Sequence, residues 1–117
     1  MIIITLDQFK PIKIYLYVLE LQNDKYYVGI TSNPKKRFYL HSKGKTSCFV
    51  RKNLPIKSIQ KTLLKTSSKK QAEHLETMKT IELMQKYGVD NVMGGAILGD
   101  YHDKIRKLKL LFHASID

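Results

Sequence analysis

The stretch that decides the fold is Ile14–His41, which reads IYLYVLELQNDKYYVGITSNPKKRFYLH. Its first part, Ile14–Leu21, is apolar and rich in β-branched and aromatic residues. A polar break at residues 22–25 separates it from a second run of the same character, Tyr26–Thr31. Two such runs joined by a few turn-forming residues predict a β-hairpin.

A helix is expected directly after this hairpin. Asn33 can cap its first turn and Pro34 suits the first helical position, so the sequence predicts a helix that ends near Ser42. Arg37 and His41 are four residues apart and therefore share one face of it. Together with the tyrosines of the hairpin they form a polar cluster, which we interpret as a catalytic surface.

The whole chain has 117 residues, which predicts one domain spanning residues 1–117, and its formal net charge is +11. Such an excess of positive charge favours a polyanionic partner, nucleic acid first, although a basic but inert surface is the alternative. The candidate nucleic-acid contacts are Lys35, Lys36, Lys43, Lys45, Arg51 and Lys52. The loop that contains Lys43 and Lys45 is equally well interpreted as a solvated connection.

The remaining composition narrows the environment and the chemistry. Cys48 is the only cysteine, so an internal disulfide is excluded and an intracellular, reducing location is expected. The sequence shows neither a signal peptide nor a run of about 18 apolar residues, so no membrane association is expected. A phosphate-binding loop, a serine elbow and closely spaced zinc ligands are also missing from the sequence.

Further strands are expected on both sides of the hairpin. The run Ile56–Leu64 alternates imperfectly and predicts a third strand, because a two-stranded hairpin alone is marginally stable. Residues Cys48–Val50 are expected to be briefly extended. Ile2–Thr5 can form a short leading strand or a tail over the edge of the core, and Val89–Gly95 is expected to be a turn-rich connection.

A long helix follows, capped by Ser67 or Ser68 and stopped by Gly88. A helical wheel places Glu76 on the same arc as the apolar side chains of Ala72, Leu75, Leu83 and Tyr87. A carboxylate on an apolar stripe needs a partner, which can be a cation or a lysine in a structural ion pair.

A last, amphipathic helix is predicted at about residues 100–114. Its apolar stripe consists of Tyr101, Ile105, Leu108 and Phe112, which we expect to face the core. Its basic face is expected to project into solvent and consists of Lys104, Arg106, Lys107 and Lys109.

The order and spacing of the polar residues resemble the GIY-YIG nuclease superfamily over residues 14–95. Tyr17 lies ten residues before Tyr27-Val28-Gly29, which resembles the YIG half of the motif. The family's Arg-x-x-x-His helix is matched by Arg37 and His41. The family's glutamate motif is matched by Ala72-x-x-x-Glu76, and its asparagine motif by Asn91 in Asn91-Val92-Met93-Gly94-Gly95.

Three positions depart from the family pattern. Tyr15-Leu16-Tyr17 stands where Gly-Ile-Tyr is usual, so Tyr15 competes with Tyr17 for the first tyrosine. Met93 and Ile30 occupy positions where arginine and lysine are common in related sequences.

The resemblance implies an α/β fold with a three-stranded antiparallel sheet flanked by helices, and the activity of a divalent-metal-dependent DNA endonuclease. It implies Glu76 as the sole protein ligand of Mg²⁺ or Mn²⁺, with Tyr17 orienting or deprotonating the attacking water. Tyr27 would bond within the same network, and Arg37 would stabilise the pentacovalent phosphate. The remaining two motif residues would be supporting, with His41 placing the network and Asn91 lying near Glu76.

One such site cuts one strand, so a double-strand break would need a homodimer or two visits, and a partner protein could supply targeting. Two alternatives remain open at this point. The first is a DNA-binding module of the same fold that has lost catalysis, and the second is a basic RNA-binding protein.

Overall fold

The computed structural model describes residues 13–66 and 68–116, with side chains as far as residue 111. The leading strand expected at Ile2–Thr5 lies outside the described residues. Within them, no helix has the length and apolar character that a membrane span requires.

A single mixed sheet forms the centre of the described residues. Its strands are β1 (Tyr15–Leu21), β2 (Lys25–Thr31), β3 (Pro55–Leu63) and β4 (Val92–Gly94). The order across the sheet is β3-β1-β2-β4, and β1 pairs antiparallel with both β2 and β3. β4 pairs with β2 in parallel. The predicted α/β fold class and the antiparallel hairpin with its third strand are therefore confirmed.

The sheet has four strands where the sequence predicted three. The additional strand, β4, lies within the segment that was expected to be a turn-rich connection, after a short 3-10 helix at Val89–Asn91. It is only three residues long and is held by one neighbouring strand that lies far away in the sequence.

Four helices accompany the sheet in the described part of the chain. They are α1 (Pro34–Ser42), α2 (Cys48–Lys52), α3 (Lys69–Tyr87) and α4 (Tyr101–Ile116). The expectation of an extended Cys48–Val50 is wrong, because the Ser47 hydroxyl accepts a hydrogen bond from the Val50 amide at 3.2 Å and starts a helical turn.

The other helix ends follow the sequence closely. The Asn33 side chain accepts a hydrogen bond from the Lys36 amide at 3.2 Å and caps α1. Ser68 caps α3 in the same way through the Gln71 amide at 3.3 Å. Gly88 ends α3 with a φ of 99°, a conformation that favours glycine.

Alternation along the strands divides the core between the two faces of the sheet. The face that packs against α3 is built on Leu16, Val18, Val28, Leu83, Met84, Val92 and Ile97. The face that packs against α1 and α2 is built on Tyr17, Leu19, Leu21 and Val50. The two tyrosines of the candidate site, Tyr17 and Tyr27, belong to this second face.

Two details of the predicted helix faces are wrong. Leu75 is 38% exposed, because the buried stripe of α3 runs through Ala72, Thr80 and Leu83 instead. Lys104 is 3% exposed rather than solvated, because its Nζ donates hydrogen bonds to the backbone oxygens of Val89 at 3.1 Å and Val92 at 2.8 Å.

The rest of α4 agrees only in part with the expected stripe. Ile105 and Leu108 are partly buried, whereas Tyr101 is 49% exposed, since α4 contacts the domain mainly at the 3-10 helix before β4. The side chain of Phe112 lies outside the described residues.

Candidate active site

A buried hydrogen bond joins the hairpin to α1. The Tyr17 hydroxyl lies 2.7 Å from His41 Nε2, and these two residues are 1% and 0% exposed. The ring of Phe38 packs edge-on against Tyr17 with centroids 5.2 Å apart. Because Tyr17 makes this bond, and Tyr15 pairs with Thr31 at the end of the strand, the structure supports Tyr17 as the first tyrosine of the cluster.

Gly29 makes room for this tyrosine. It lies opposite Tyr17 in the β1–β2 register, and a Cβ at this position would overlap the Tyr17 hydroxyl and ring. The requirement for glycine in Tyr27-Val28-Gly29 is therefore steric: any side chain would displace the ring that bonds to His41.

The end of β4 creates an open stretch on the edge of β2. Pairing between the two strands stops at Val28 and Gly94, so β4 does not cover the residues of β2 that follow. There the backbone N–H of Ile30 lies near enough to the carboxylate of Glu76, which reaches the edge from α3, to lower the pKa of that carboxyl. The Glu76 carboxylate thus lies beside the face of the sheet that carries Tyr17 and Tyr27, although α3 packs on the opposite face.

The environment of Glu76 disfavours its charged form. Burial raises the pKa of Glu76 from its ordinary 4.5 to about 7, and the neighbouring Glu73 adds to this effect. The Ile30 amide and Arg37 act in the opposite direction without cancelling it. An acid with this pKa is half ionised near neutral pH, so a bound cation would favour its carboxylate form.

Tyr27 lies within the influence of both charged groups. Burial raises the pKa of the Tyr27 hydroxyl, and the charge of Glu76 raises it further while that of Arg37 lowers it. The ring of Tyr27 meets that of His41 edge-on, with centroids 5.0 Å apart. The structure therefore brings Tyr17, Tyr27, Arg37, His41 and Glu76 into one cluster.

The two tyrosines differ in their access to solvent. Tyr17 is almost wholly buried and bonded to His41, whereas Tyr27 is partly exposed. Burial raises the pKa of Tyr17 well above its ordinary value, so its hydroxyl keeps its proton. Burial and the positive charge of Arg37 lower the pKa of His41 to about 4, so His41 is neutral at pH 7.

Asn91 is not brought to this cluster. Its Oδ1 accepts a hydrogen bond from Lys25 Nζ at 2.6 Å, and its Nδ2 donates to the Tyr87 carbonyl at 2.8 Å. Tyr87 follows Glu76 by eleven residues on α3, which corresponds to about 16 Å along a helix. The expected hydrogen bond near Glu76 is therefore absent, because Asn91 ties the far end of α3 to the start of β2.

The candidate nucleic-acid contacts are all exposed and lie on α1, α2 and the loop between them: Lys35, Lys36, Lys43, Lys45, Arg51 and Lys52. Lys36 and Arg37 line a depression of 430 Å³ at the start of α1. A phosphate backbone that enters this depression would reach Arg37 from the outside of the cluster.

A second, smaller depression of 260 Å³ is lined by Glu73, Glu76, Thr77, Gly95 and Ala96. No group of three or more metal-ligating side chains gathers anywhere in the described part of the chain. A single carboxylate in an open depression fits Mg²⁺, which keeps several water ligands when it binds to proteins. The donor set therefore suits a hydrated divalent cation and does not suit zinc.

Sequence reasoning missed one polar neighbour of the cluster. Thr46 Oγ1 lies 2.7 Å from His41 Nδ1, on the side of the ring opposite Tyr17. Its position five residues after His41, in a loop of otherwise solvated character, carries no pattern that would have singled it out.

A carboxylate and a guanidinium acting on one tyrosine hydroxyl form a site suited to phosphate esters, in which charge develops on oxygen. Comparison with known proteins agrees: the chain belongs to the GIY-YIG nuclease superfamily, since the model of the GIY-YIG catalytic domain matches residues 13–86. Nucleases of this superfamily generally use divalent metals. No solved structure is significantly similar to the chain.

The chain is also similar to UPF0213 proteins. That of Streptococcus pneumoniae strain R6 is 40% identical over 47 residues, which cover 40% of this chain and 48% of the relative, and the serotype 4 protein gives the same values. A UPF0213 protein of Cupriavidus necator is 33% identical over 72 residues, covering 62% of this chain and 77% of the relative. The chain thus spans about half the length of the streptococcal relatives it matches.

Proposed function

We propose that the protein is a divalent-metal-dependent DNA endonuclease that hydrolyses one strand per active site. The observation that supports this proposal is that Glu76 and Arg37 both lie close enough to the Tyr27 hydroxyl for their charges to act on its pKa. Glu76 would hold the divalent cation, and Arg37 would contact a phosphodiester bound beside Tyr27. The bound cation would stabilise negative charge on the phosphate oxygens.

Tyr27 is the tyrosine that we assign to contact the attacking water, in place of Tyr17. The reason is access, because Tyr17 is 1% exposed and its hydroxyl is engaged with His41. Tyr27 is partly exposed, and its hydroxyl lies under the influence of Arg37. Tyr27 must be a phenolate before it can accept the proton of that water, and Arg37 would favour this form against the opposing effects of burial and Glu76.

The hydrogen-bonded pair of Tyr17 and His41 supports the site from the interior of the domain. Neutral His41 lies 2.7 Å from the Tyr17 hydroxyl and is able to accept a hydrogen bond from it, which fixes the Tyr17 ring beside Tyr27 without placing a charge in the buried pair. The exposed lysines of α1 and α2 would contact phosphates without reading the base sequence.

The test is cleavage of a panel of DNA substrates (supercoiled, linear, nicked, flap and four-way) with Mg²⁺ or Mn²⁺. The decisive variant is Glu76→Ala, which should abolish cleavage and leave DNA binding nearly unchanged, since the lysines remain. The matched control is Glu82→Ala, because Glu82 lies on the same helix, is 65% exposed and forms only a surface ion pair with Lys79.

Three outcomes would count against the proposal. Wild-type protein that shifts DNA in a gel but cuts no member of the panel with either metal would be a DNA-binding module without catalysis. Cleavage by Glu76→Ala at the wild-type rate would refute the assigned metal site. Stronger binding to RNA than to DNA at matched salt would point to an RNA substrate.

A further inference from the structure

His41 lies between two hydroxyl groups, one on each nitrogen of its ring. The Tyr17 hydroxyl is 2.7 Å from Nε2, and Thr46 Oγ1 is 2.7 Å from Nδ1. The imidazole is fully buried, so water does not compete for either nitrogen. Since neutral histidine carries one ring proton, one nitrogen donates and the other accepts.

Two tautomers of this arrangement are conceivable, and they differ in the hydrogen bonds that they leave unmade. If Nε2 carried the proton, it would donate to the Tyr17 oxygen, and the buried Tyr17 O–H would then need another acceptor. Among the described residues, His41 is the hydrogen-bond partner of that hydroxyl. Leaving a buried donor unpaired costs about 1–3 kcal/mol.

The opposite tautomer satisfies every group. With the proton on Nδ1, His41 donates to Thr46 Oγ1 and accepts the Tyr17 O–H at Nε2. Thr46 is only partly buried, so its own hydroxyl proton can turn to solvent. The balance of donors and acceptors therefore selects the Nδ1–H form.

The loop that carries Thr46 is fixed at both ends. After α1, the Gly44 amide donates to the His41 carbonyl and the Lys45 amide to the Leu40 carbonyl, both at 3.0 Å. Gly44 has a φ of 67°, which turns the chain back towards the ring. Ser47 then caps α2, so Thr46 is held between two anchored residues.

We infer that Thr46 is a positioning residue, which holds His41 in the Nδ1–H tautomer and so keeps Nε2 free to accept the hydrogen bond of the Tyr17 hydroxyl. The tautomer itself follows from geometry alone. Its consequence for catalysis rests on the proposed nuclease function, because only then does the placement of Tyr17 by His41 support a reaction.

The test is a long-range ¹H–¹⁵N correlation spectrum of the histidine rings, which distinguishes the two tautomers without any substrate. The variants are Thr46→Val, which keeps the shape but removes the acceptor, and Thr46→Ser, which restores it. Thr62→Val is the matched control, since Thr62 lies on the exposed strand β3. The His41→Gln spectrum assigns the His41 signal among those of the four histidines.

We expect wild-type and Thr46→Ser protein to show His41 as the Nδ1–H form, and Thr46→Val to shift it towards the Nε2–H form while its amide spectrum stays dispersed. If the wild type cuts DNA, Thr46→Val should lose about tenfold or more in rate and Thr46→Ser should recover most of it.

An Nε2–H tautomer in the wild type, or an unchanged His41 signal in a folded Thr46→Val protein, would overturn the inference. Failure of the wild type to cut any DNA would instead count against the proposed function alone, because the spectrum reports the tautomer in either case.

Discussion

Replacing Glu76, the proposed metal ligand, should make the protein more stable at alkaline pH. Glu76 has a pKa near 7 in the folded protein and 4.5 as its ordinary value. The unfolded chain therefore loses the Glu76 proton at lower pH than the folded one. Stability is unaffected by this group below about pH 4.5, falls as the pH rises to 7, and stays low above it. Glu76→Gln removes the ionisation and should remove this loss.

The size of the effect follows from the two pKa values. For a fully buried group, linkage gives a loss of about 3 kcal/mol at pH 8 and about 0.4 kcal/mol at pH 4.5. Because Glu76 is partly exposed, solvent screening reduces the larger figure to roughly 1–3 kcal/mol. A domain of this size gains about 4 °C in Tm per kcal/mol, so Glu76→Gln should melt roughly 4–12 °C higher at pH 8.

The assay is thermal unfolding of wild type and variant at pH 4.5 and pH 8, with and without Mg²⁺ or Mn²⁺. The control is Glu82→Gln, whose exposed carboxylate should give a small change at both values of pH. Metal should raise the Tm of the wild type and leave that of Glu76→Gln unchanged, since a ligand stabilises only the state that binds it. Equal gains at both pH values, or no gain at pH 8, would refute the buried-carboxylate argument.

Four further changes test other parts of the structure. Gly29→Ala should destabilise the fold by about 1–3 kcal/mol by displacing the Tyr17 ring, and denaturant unfolding that matches wild type would contradict this. As the pH falls from 6.5 to 4, the free energy of unfolding of the wild type should decrease by up to about 3 kcal/mol relative to that of His41→Gln. The reason is that the unfolded chain takes up a proton that buried His41 excludes. A difference that does not change with pH would contradict this. Lys104→Met removes the donor to two backbone carbonyls and should lower the free energy of unfolding, measured by urea titration, by about 1–3 kcal/mol. An unchanged midpoint would contradict this. Arg37→Ala should slow DNA cleavage about 10²–10³-fold, whereas a rate near wild type would remove the guanidinium from the site.

The parts of the fold that depend on neighbouring residues could be predicted from the sequence. Asn33 and Ser68 mark helix starts because a side-chain cap acts within one turn, and Gly88 marks a helix end for a similar local reason. The shared face of Arg37 and His41 follows from helical periodicity alone.

The parts of the fold that depend on distant residues could not be predicted from the sequence. Helical periodicity assigned Lys104 to solvent, but its two acceptors are carbonyls of a segment whose path the sequence does not reveal. Strand β4 is too short to show alternation, and its pairing is decided by β2. The motif spacing identified Asn91 but not its position in the structure, since a motif gives the order of residues along the chain and not the distances between them in space.

The short length of β4 has a consequence for the comparison of related chains. Because the strand ends at Gly94, no residue of β4 pairs with β2 beyond Val28, and the Glu76 carboxylate lies near the backbone N–H of Ile30 on that open edge. A variant with two more residues in β4 would cover that edge with backbone and exclude the carboxylate from it. Such a chain would retain every motif residue and still lack the candidate site, so the open edge of β2 is as much a part of that site as any side chain.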